Sequence, residues 1–242
     1  MVDVAFTPAG LERADTTVVI DVLRATTTVA AALAAGHGRV LCCKDVESAE
    51  RLRGPDRLLA GERGCEPIPG FDRGNSPLGF AGTGTGDIVL STTNGTRAII
   101  AAADRSRQVL LASLANLEAL LDELPEDDVT LVCAGTDGGM AIEDVYLAGL
   151  IAERLDGEVT EAALIATRVA ASYATHLDAL NAGANARVLR ETDQYADIEY
   201  CARESILEVV PRVTGSMSDA AIVSTAPAEQ PLARSHNRSE AM

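Results

Sequence analysis

The sequence predicts an α/β protein with a layered α/β/α architecture around a mostly parallel or mixed sheet. Short β-branched and apolar runs alternate with alanine-rich stretches of helical spacing through the first 160 residues. Glycines and small polar residues separate the two kinds of segment. Repeated strand–loop–helix units of this kind favour parallel pairing, with helices packed on both faces of the sheet.

The individual elements follow from these patterns. Residues 17–22 are β-branched and apolar, which predicts a buried strand, and the helix over 27–35 ends at Gly36 and Gly38. The further predicted strands are 40–43, 58–60, 87–90, 109–112, 129–134 and 207–213. The further predicted helices are 46–52, 96–103, 117–124, 141–155, 160–182 and a segment that includes 198–203. Because proline cannot donate to a strand ladder, Pro211 predicts that the last strand lies at a sheet edge.

The domain organisation predicted from 242 residues is one domain over 1–213, with two α/β subdomains as the alternative division. From Thr214 onward the sequence is rich in Ser, Ala and Pro and shows no periodicity. This composition predicts a disordered tail over 214–242.

The charge of the chain excludes some classes of function. The formal net charge is −16 and Lys44 is the only lysine, so no basic face for nucleic acid is expected. Dense carboxylates in place of lysines predict a halophilic protein, and the plainer interpretation is a solvated surface that maintains solubility. Asp3 and Pro8 interrupt any apolar signal segment, and no apolar run spans a bilayer, which predicts a cytoplasmic protein without a membrane partner.

Four polar segments connect a predicted strand to the next predicted helix. They are residues 21–28, 62–77, 91–97 and 133–144. Strand carboxyl ends and helix N-termini form the anion sites of α/β proteins, because exposed amide groups and the helix dipole attract negative charge. We expect these segments to meet at one edge of the sheet, with Asp21, Ser91 and Cys133 near one another.

Acidic residues in these segments are candidate metal ligands. Asp21 and Glu62 each follow a strand directly, where a carboxylate can hold a metal, and Asp21 could instead attack a phosphorus atom. Glu143 and Asp144 stand in a first helical turn. The alternative for such acids is a purely structural role, since an acid at a helix start gains about 0.3–1 kcal/mol from the dipole.

Arginines and small polar residues in the same segments are candidate anion ligands. Arg24 follows Asp21 by three positions, at the start of a helix. Thr93 and Asn94 precede another helix, and a simple N-cap would account for only one such residue. Guanidinium groups suit phosphate and sulfonate oxygens because they donate in a planar fork. The other candidate arginines are Arg63, Arg73 and Arg97.

Together the four motifs resemble the 2-phosphosulfolactate phosphatase family over about residues 17–213. They read VVIDVLRATTT (18–28), AGERGCEPIPGFDRGNSP (60–77), STTNGTRAI (91–99) and VCAGTDGGMAIEDVYLAG (132–149). The resemblance implies a Mg²⁺-dependent phosphatase that hydrolyses 2-phospho-3-sulfolactate to 3-sulfolactate and phosphate, a step towards coenzyme M. It also implies a small phosphorylated sulfonate as the partner molecule.

Site roles are predicted where motif and chemistry agree. The predicted catalytic residues are Asp21, Arg24 and Asn94, the predicted substrate-binding residues are Arg63, Arg73, Thr93 and Arg97, and the predicted Mg²⁺ ligands are Asp21, Glu62, Glu143 and Asp144. Two alternatives stay open: a phosphatase for another small phosphorylated acid, and a non-catalytic anion-binding protein on the same scaffold. A homo-oligomer is a further hypothesis, because alanine-rich helices can pack against a second copy.

Overall fold

The computed structural model describes residues 1–80, 82–125 and 128–226. Its strands are β1 (Val2–Ala5), β2 (Ala14–Ile20), β3 (Val40–Cys43), β4 (Arg57–Arg63), β5 (Glu66–Pro67), β6 (Asp87–Ser91), β7 (Ser106–Ala112), β8 (Val129–Cys133), β9 (Arg212–Met217) and β10 (Ala220–Ser224). Its helices are α1 (Ala25–Ala34), α2 (Val46–Arg51), α3 (Gly95–Ala103), α4 (Leu117–Glu123), α5 (Ile142–Arg154), α6 (Glu161–Ala170), α7 (His176–Asn181), α8 (Ala184–Glu191) and α9 (Tyr195–Cys201).

The strands form one mixed sheet in the order β1-β8-β2-β7-β9-β10-β3-β6-β4-β5. Strands β1, β8, β2 and β7 pair in parallel, and so do β3, β6 and β4. The hairpin β9–β10 joins these two parallel units through antiparallel pairing on both sides. The predicted α/β fold with a mixed sheet is therefore confirmed.

Helices cover both faces of the sheet. Along β2, Val18 and Ile20 pack in a core cluster with Leu147 of α5. The intervening Val19 points to the other face, where it shares a second cluster with Ile99 of α3. This alternation is the period of two that a strand buried on both faces requires. It produces the layered arrangement that the sequence predicts.

The end of the chain is the main correction to the predicted fold. The expectation of disorder from Thr214 is wrong for residues 214–224, because these residues belong to β9 and β10 near the middle of the sheet. The edge position predicted from Pro211 is also wrong, since the Leu111 N–H donates to the Pro211 carbonyl at 2.9 Å. Proline precedes β9 here and contributes its acceptor, so its missing donor costs no ladder bond. The predicted tail beyond residue 226 lies outside the described residues.

Two further differences concern the helices and the first strand. The predicted helix over 160–182 is two helices, α6 and α7, separated by residues 171–175. Thr175 begins α7 as an N-cap whose side chain accepts from the Asp178 N–H, which favours a new helix start at this point. Strand β1 was not predicted, because four residues carry too little periodicity. No helix in the described ranges combines the length and apolar character needed to cross a membrane.

The start of α3 connects the carboxyl end of β6 with the segment after β2. Five pairings separate β2 from β6 in the sheet order. Helix α3, which follows β6, nevertheless contacts β2. A Cβ atom added at Gly95, its first residue, would lie 2.3 Å from the Asp21 carboxylate.

Candidate active site

A cavity of about 210 Å³ lies where the four predicted polar segments meet. Each segment contributes to its wall, and the start of α8 closes one side. Its polar lining residues are Asp21, Arg24, Glu62, Cys65, Asn75, Thr93, Asn94, Thr136, Asp137 and Asn185. The expected convergence of these loops is therefore found, and five of the predicted site residues line one cavity.

Three helices begin at this cavity. Arg24, Asn94 and Ala184 line it at the starts of α1, α3 and α8, and the N-cap positions of these helices make no side-chain capping bond. The N–H groups of a first helical turn have no partner within the helix and carry partial positive charge. The cavity thus has the features of an anion site.

Asp21 lines the cavity and has a raised pKa. Its side chain is buried, and Oδ1 accepts the Ala25 N–H at 3.2 Å. Burial raises the pKa of Asp21 to about 7, with further increases from Glu62 and Glu143, against lowering by the Ala25 hydrogen bond and Arg24. A carboxylate that titrates near neutrality in a cavity is typical of a functional site.

Glu62 connects two of the loops that form the cavity. Its Oε1 accepts the Thr93 N–H at 2.7 Å, and its Oε2 accepts the Cys65 N–H at 2.9 Å and the Thr93 hydroxyl at 3.2 Å. These three bonds hold the carboxylate in a fixed orientation. Thr93 was predicted to bind substrate. In this structure its N–H and hydroxyl groups bind Glu62 instead.

Glu143 and Asp144 are neighbours with different surroundings. The Glu143 Oε1 accepts the Asn185 amide at 2.8 Å, and Oε2 is buried with no hydrogen-bond partner in the described ranges. Burial raises its pKa. The Asp144 oxygens accept the Val22 N–H at 2.9 Å and the Gly135 N–H at 3.0 Å. Burial, followed by Asp21 and Glu143, raises the pKa of Asp144.

Neither Asp144 nor Glu143 is among the residues that line the cavity. Both oxygens of Asp144 already bind backbone N–H groups, one after β2 and one after β8. Asp144 therefore connects two loops, and the metal-ligand role predicted for it is not supported by these contacts. The unpartnered oxygen of Glu143 fits that role better, because a buried acceptor without a donor is costly unless a cation or a hydrogen bond satisfies it.

Only one of the four predicted arginines lines the cavity. Arg63 donates to the Ser91 carbonyl at 3.1 Å and to the Ser91 hydroxyl at 2.9 Å. Arg97 donates to the Lys44 carbonyl at 3.2 Å. Arg73 lies 5.8 Å from the Phe80 ring centre and lines a separate cavity. The substrate-binding role predicted for these three arginines is therefore not supported by their positions, since local partners direct each one elsewhere.

Arg24 is held from three sides and is almost fully buried. Its Nη1 donates to Asp197 and, at 2.6 Å, to Gln194 Oε1, and its Nη2 donates to the Cys65 carbonyl at 3.1 Å. Asp197 and Gln194 come from the start of α9, about 170 residues further along the chain. No local pattern in the sequence links them to Arg24, and they were not predicted.

Asn75 and Asn185 are the other site residues that were missed. Asn75 Oδ1 is buried without a hydrogen-bond partner in the part of the chain that the structure describes. Asn185 donates to Thr136 and Glu143, both at 2.8 Å. Asn75 could have been predicted, because it lies in the polar segment 62–77. Nothing in the sequence marks Asn185 as a site residue, because it lies in the first turn of an ordinary amphipathic helix.

The described residues hold no group of three His, Cys, Asp or Glu side chains that forms a ready metal site. The residues nevertheless fit a hard divalent cation in their chemistry. Asp21, Glu62 and Glu143 interact electrostatically, offer oxygen only, and include one buried oxygen without a partner. Mg²⁺ takes oxygen ligands, commonly one or two carboxylates with the remaining positions held by water or substrate.

We expect Gly95→Ala to disturb this site. The added Cβ would lie 2.3 Å from Asp21 Oδ2 and 2.4 Å from the Ala25 Cβ, so the starts of α1 and α3 must separate. The variant should lose about 1–3 kcal/mol of unfolding free energy in urea denaturation, the usual cost of overpacking. Gly79→Ala is the control, because a Cβ there meets nothing within 4 Å. Equal stability of both variants would contradict the described approach of α3 to Asp21.

Comparison with known proteins shows the family of the chain. A family model for 2-phosphosulpholactate phosphatase matches residues 5–216. A protein of Thermus thermophilus, named a probable 2-phosphosulfolactate phosphatase, is 40% identical over 217 residues, which cover 86% of this chain and 92% of that protein. Proteins of Deinococcus radiodurans and Thermotoga petrophila with the same name are 39% identical over 208 residues and 36% identical over 222 residues. The alignments cover 81% and 90% of this chain and 87% and 97% of those proteins, respectively.

These comparisons establish the class of the protein: the chain is an enzyme of the phosphoric monoester hydrolase class. It belongs to the 2-phosphosulpholactate phosphatase family, as the resemblance of its four motifs predicts.

Proposed function

We propose that this enzyme hydrolyses 2-phospho-3-sulfolactate to 3-sulfolactate and phosphate in a Mg²⁺-dependent reaction, a step towards coenzyme M. The names of its relatives support the substrate. The size of the cavity, about 210 Å³, supports a small one. Drug-sized ligands occupy sites of about 300–1,000 Å³.

The charge balance of the cavity carries the proposal of a divalent cation. Asp21, Glu62 and Glu143 interact at this site, and Arg24 already has Asp197 as its ion-pair partner. A phosphate ester with a carboxylate and a sulfonate would meet net negative charge there, and like charges in a buried site repel strongly. A divalent cation held by the carboxylates removes this repulsion.

Asp21 and Glu143 are the residues that would hold Mg²⁺, because each has one carboxylate oxygen without a hydrogen-bond partner in the described ranges. The metal-ligand role predicted for Glu62 is less well supported, since both of its oxygens already accept backbone N–H groups. When bound, the ion would neutralise phosphate charge and polarise the ester. The protein's own contribution is orientation of the anion. The start of α8 presents first-turn N–H groups to it, whereas at the start of α3 the Thr96 N–H already binds Thr92 Oγ1 at 3.0 Å. Arg24 donates in a fork. Asn94 occupies the N-cap position of α3, although its Oδ1 accepts the Asp137 N–H at 3.2 Å.

Asp21 is the residue that we propose acts at the phosphorus atom. Its Oδ2 has no hydrogen-bond partner in the described ranges, whereas Oδ1 is held by the Ala25 N–H. Attack by this oxygen would break the ester P–O bond, form an aspartyl phosphate and release 3-sulfolactate, whose alkoxide takes a proton from water; a second water would then hydrolyse the aspartyl phosphate. Direct attack by water would break the same bond without a phosphoenzyme. Rapid-quench trapping of phosphorylated Asp21 would establish the first route, and turnover without a phosphoenzyme would establish the second.

The test is phosphate release from a panel of small phosphate esters in the presence of Mg²⁺, with the assay repeated in molar salt because of the acidic composition. We expect 2-phospho-3-sulfolactate to give the highest kcat/KM, with phospholactate, which lacks the sulfonate, as the matched comparison. A preference for another phosphorylated acid would replace the proposed substrate. Thermal stabilisation by these ligands without turnover would indicate an anion-binding protein and contradict the proposal.

A further inference from the structure

We infer that Asp197 and Gln194, at the start of α9, are positioning residues for Arg24 and thereby make the C-terminal helices part of the active site. The inference rests on the proposed function, in which Arg24 contacts the phosphate ester. It extends the site from the loops of the sheet to a helix that does not line the cavity.

The bonds of the Arg24 guanidinium leave part of it for a ligand. A guanidinium has five N–H donors. Both N–H groups of Nη1 are used by Asp197 and Gln194, and one of Nη2 is used by the Cys65 carbonyl. Two donors, Nε–H and the second N–H of Nη2, have no protein acceptor in the described part of the chain. Arg24 lines the cavity, so these donors are available to an anion there.

Asp197 and Gln194 are themselves held in place. The second oxygen of Asp197 accepts the Ser76 hydroxyl at 2.5 Å. Gln194 donates to the Cys65 carbonyl at 3.1 Å, the same acceptor that binds Arg24 Nη2. The network therefore joins the segment after β2, the loop after β4 and the start of α9. Its members fix one another, which is how supporting residues keep a binding group in its productive orientation.

The burial of this ion pair favours a role in positioning Arg24 over a role in stabilising the fold. The Arg24 and Asp197 side chains are 1% and 4% exposed. A buried ion pair gains little net stability, because desolvation offsets the attraction between the charges. A fixed guanidinium with two free donors is useful to an enzyme that binds an anion, since misplacement of about 1 Å can cost about 10²-fold in rate.

The experiment compares Asp197→Asn with Glu204→Gln in the full chain. Asparagine retains the shape of Asp197 and can still accept from Arg24 while donating to Ser76, but it removes the charge. Glu204 pairs with Arg154 and His176 outside the cavity, so its substitution removes a carboxylate from the same helical region without touching Arg24. Gln194→Met is a milder second variant in case Asp197→Asn does not fold.

We expect Asp197→Asn to lower kcat/KM by about 10- to 100-fold, while Glu204→Gln retains the wild-type value. Arg24 should also lose its separate Nη–H resonances in NMR spectra, because its guanidinium rotates freely once its ion pair with Asp197 is removed. Gln194→Met should show the same two changes to a smaller extent. Unchanged or improved kcat/KM in folded Asp197→Asn, with the Arg24 resonances retained, would overturn the inference.

Binding of inorganic phosphate in the presence of Mg²⁺ separates this inference from the proposed function. If the wild-type enzyme proves inactive on every ester, the proposed function fails. The positioning role would still predict weaker phosphate binding by Asp197→Asn than by Glu204→Gln. Equal phosphate affinity in these two variants would overturn the positioning role itself.

Discussion

Asp21→Asn should lower kcat by at least about 10³-fold, within the range lost when an essential acid, base or nucleophile is removed. In the cavity, the side chain of Asp21 accepts the Ala25 N–H and lies against Gly95. It also interacts electrostatically with Glu62 and Glu143. Asparagine has the same size and can still accept the Ala25 N–H, so the fold should be retained. Steady-state phosphate release and circular dichroism measure the two effects separately.

Asp72→Asn is the matched control for this substitution. Asp72 also accepts a backbone N–H, from Leu59 at 2.8 Å, but it does not line the cavity. We expect wild-type kcat for it. An Asp21→Asn enzyme that retains more than about a tenth of wild-type kcat would contradict a catalytic role for Asp21, because such a loss is below that of an essential group.

Mg²⁺ should stabilise the protein more at pH 8 than at pH 5.5. The pKa of Asp21 is raised from 3.8 to about 7 in the folded protein, and those of Glu143 and Asp144 are raised as well. Folding therefore favours the protonated acids. As the pH rises from about 4 to 7, the unfolded chain loses these protons first, and the free energy of unfolding should fall by a few kcal/mol without metal.

Mg²⁺ binds the ionised carboxylates, so its stabilising effect should increase with pH, whereas the stability of the metal-free protein should decrease. At pH 8 the carboxylates are charged and Mg²⁺ should restore stability, by about 2.7 kcal/mol at a concentration of about 100 times its Kd. At pH 5.5 protons compete with the ion. The measurement is urea denaturation at both pH values with Mg²⁺ or EDTA.

Glu143→Gln provides the comparison for this linkage. Glutamine can still accept from Asn185, but it removes a charge from the acidic group. We expect the variant to be less sensitive to pH between 5.5 and 8 without metal and to gain less from Mg²⁺. A free energy of unfolding that rises with pH over this interval in EDTA, or a Mg²⁺ effect that is equal at both values, would contradict the assignment of these acids.

The predictable part of the fold was the part encoded by local pattern. Strands such as β3 and β8 and helices such as α5 follow from apolar runs and helical spacing, and the structure has them within a few residues of their predicted ends. The predicted strand 207–213 overlaps β9 only at residues 212–213, and β10 was missed, because the order of both strands depends on partners far away in sequence. Each pairs with a strand more than 100 residues earlier in the chain, a contact that no local window contains.

The candidate site divides in the same way. Asp21, Arg24, Glu62, Thr93 and Asn94 line the cavity, as expected for polar residues at strand ends. The sequence could not separate Arg24 from Arg63, since both lie in polar segments after a strand, and only tertiary contacts decide which one turns inward. Asn185 and Asp197 lie in helices that give no sign of contact with the sheet, and their partners become visible only in the folded structure.

Calorimetric titration of inorganic phosphate into the enzyme at pH 8, with Mg²⁺ and with EDTA, tests the central claim most directly. A cavity lined by Asp21 and Glu62, with Glu143 close enough to act on Asp21 and with an already paired arginine, should bind phosphate in the presence of Mg²⁺ and should show no measurable binding in EDTA. Phosphate binding of equal affinity in EDTA would show that the protein neutralises the anion without a cation, and the account of this site would be wrong.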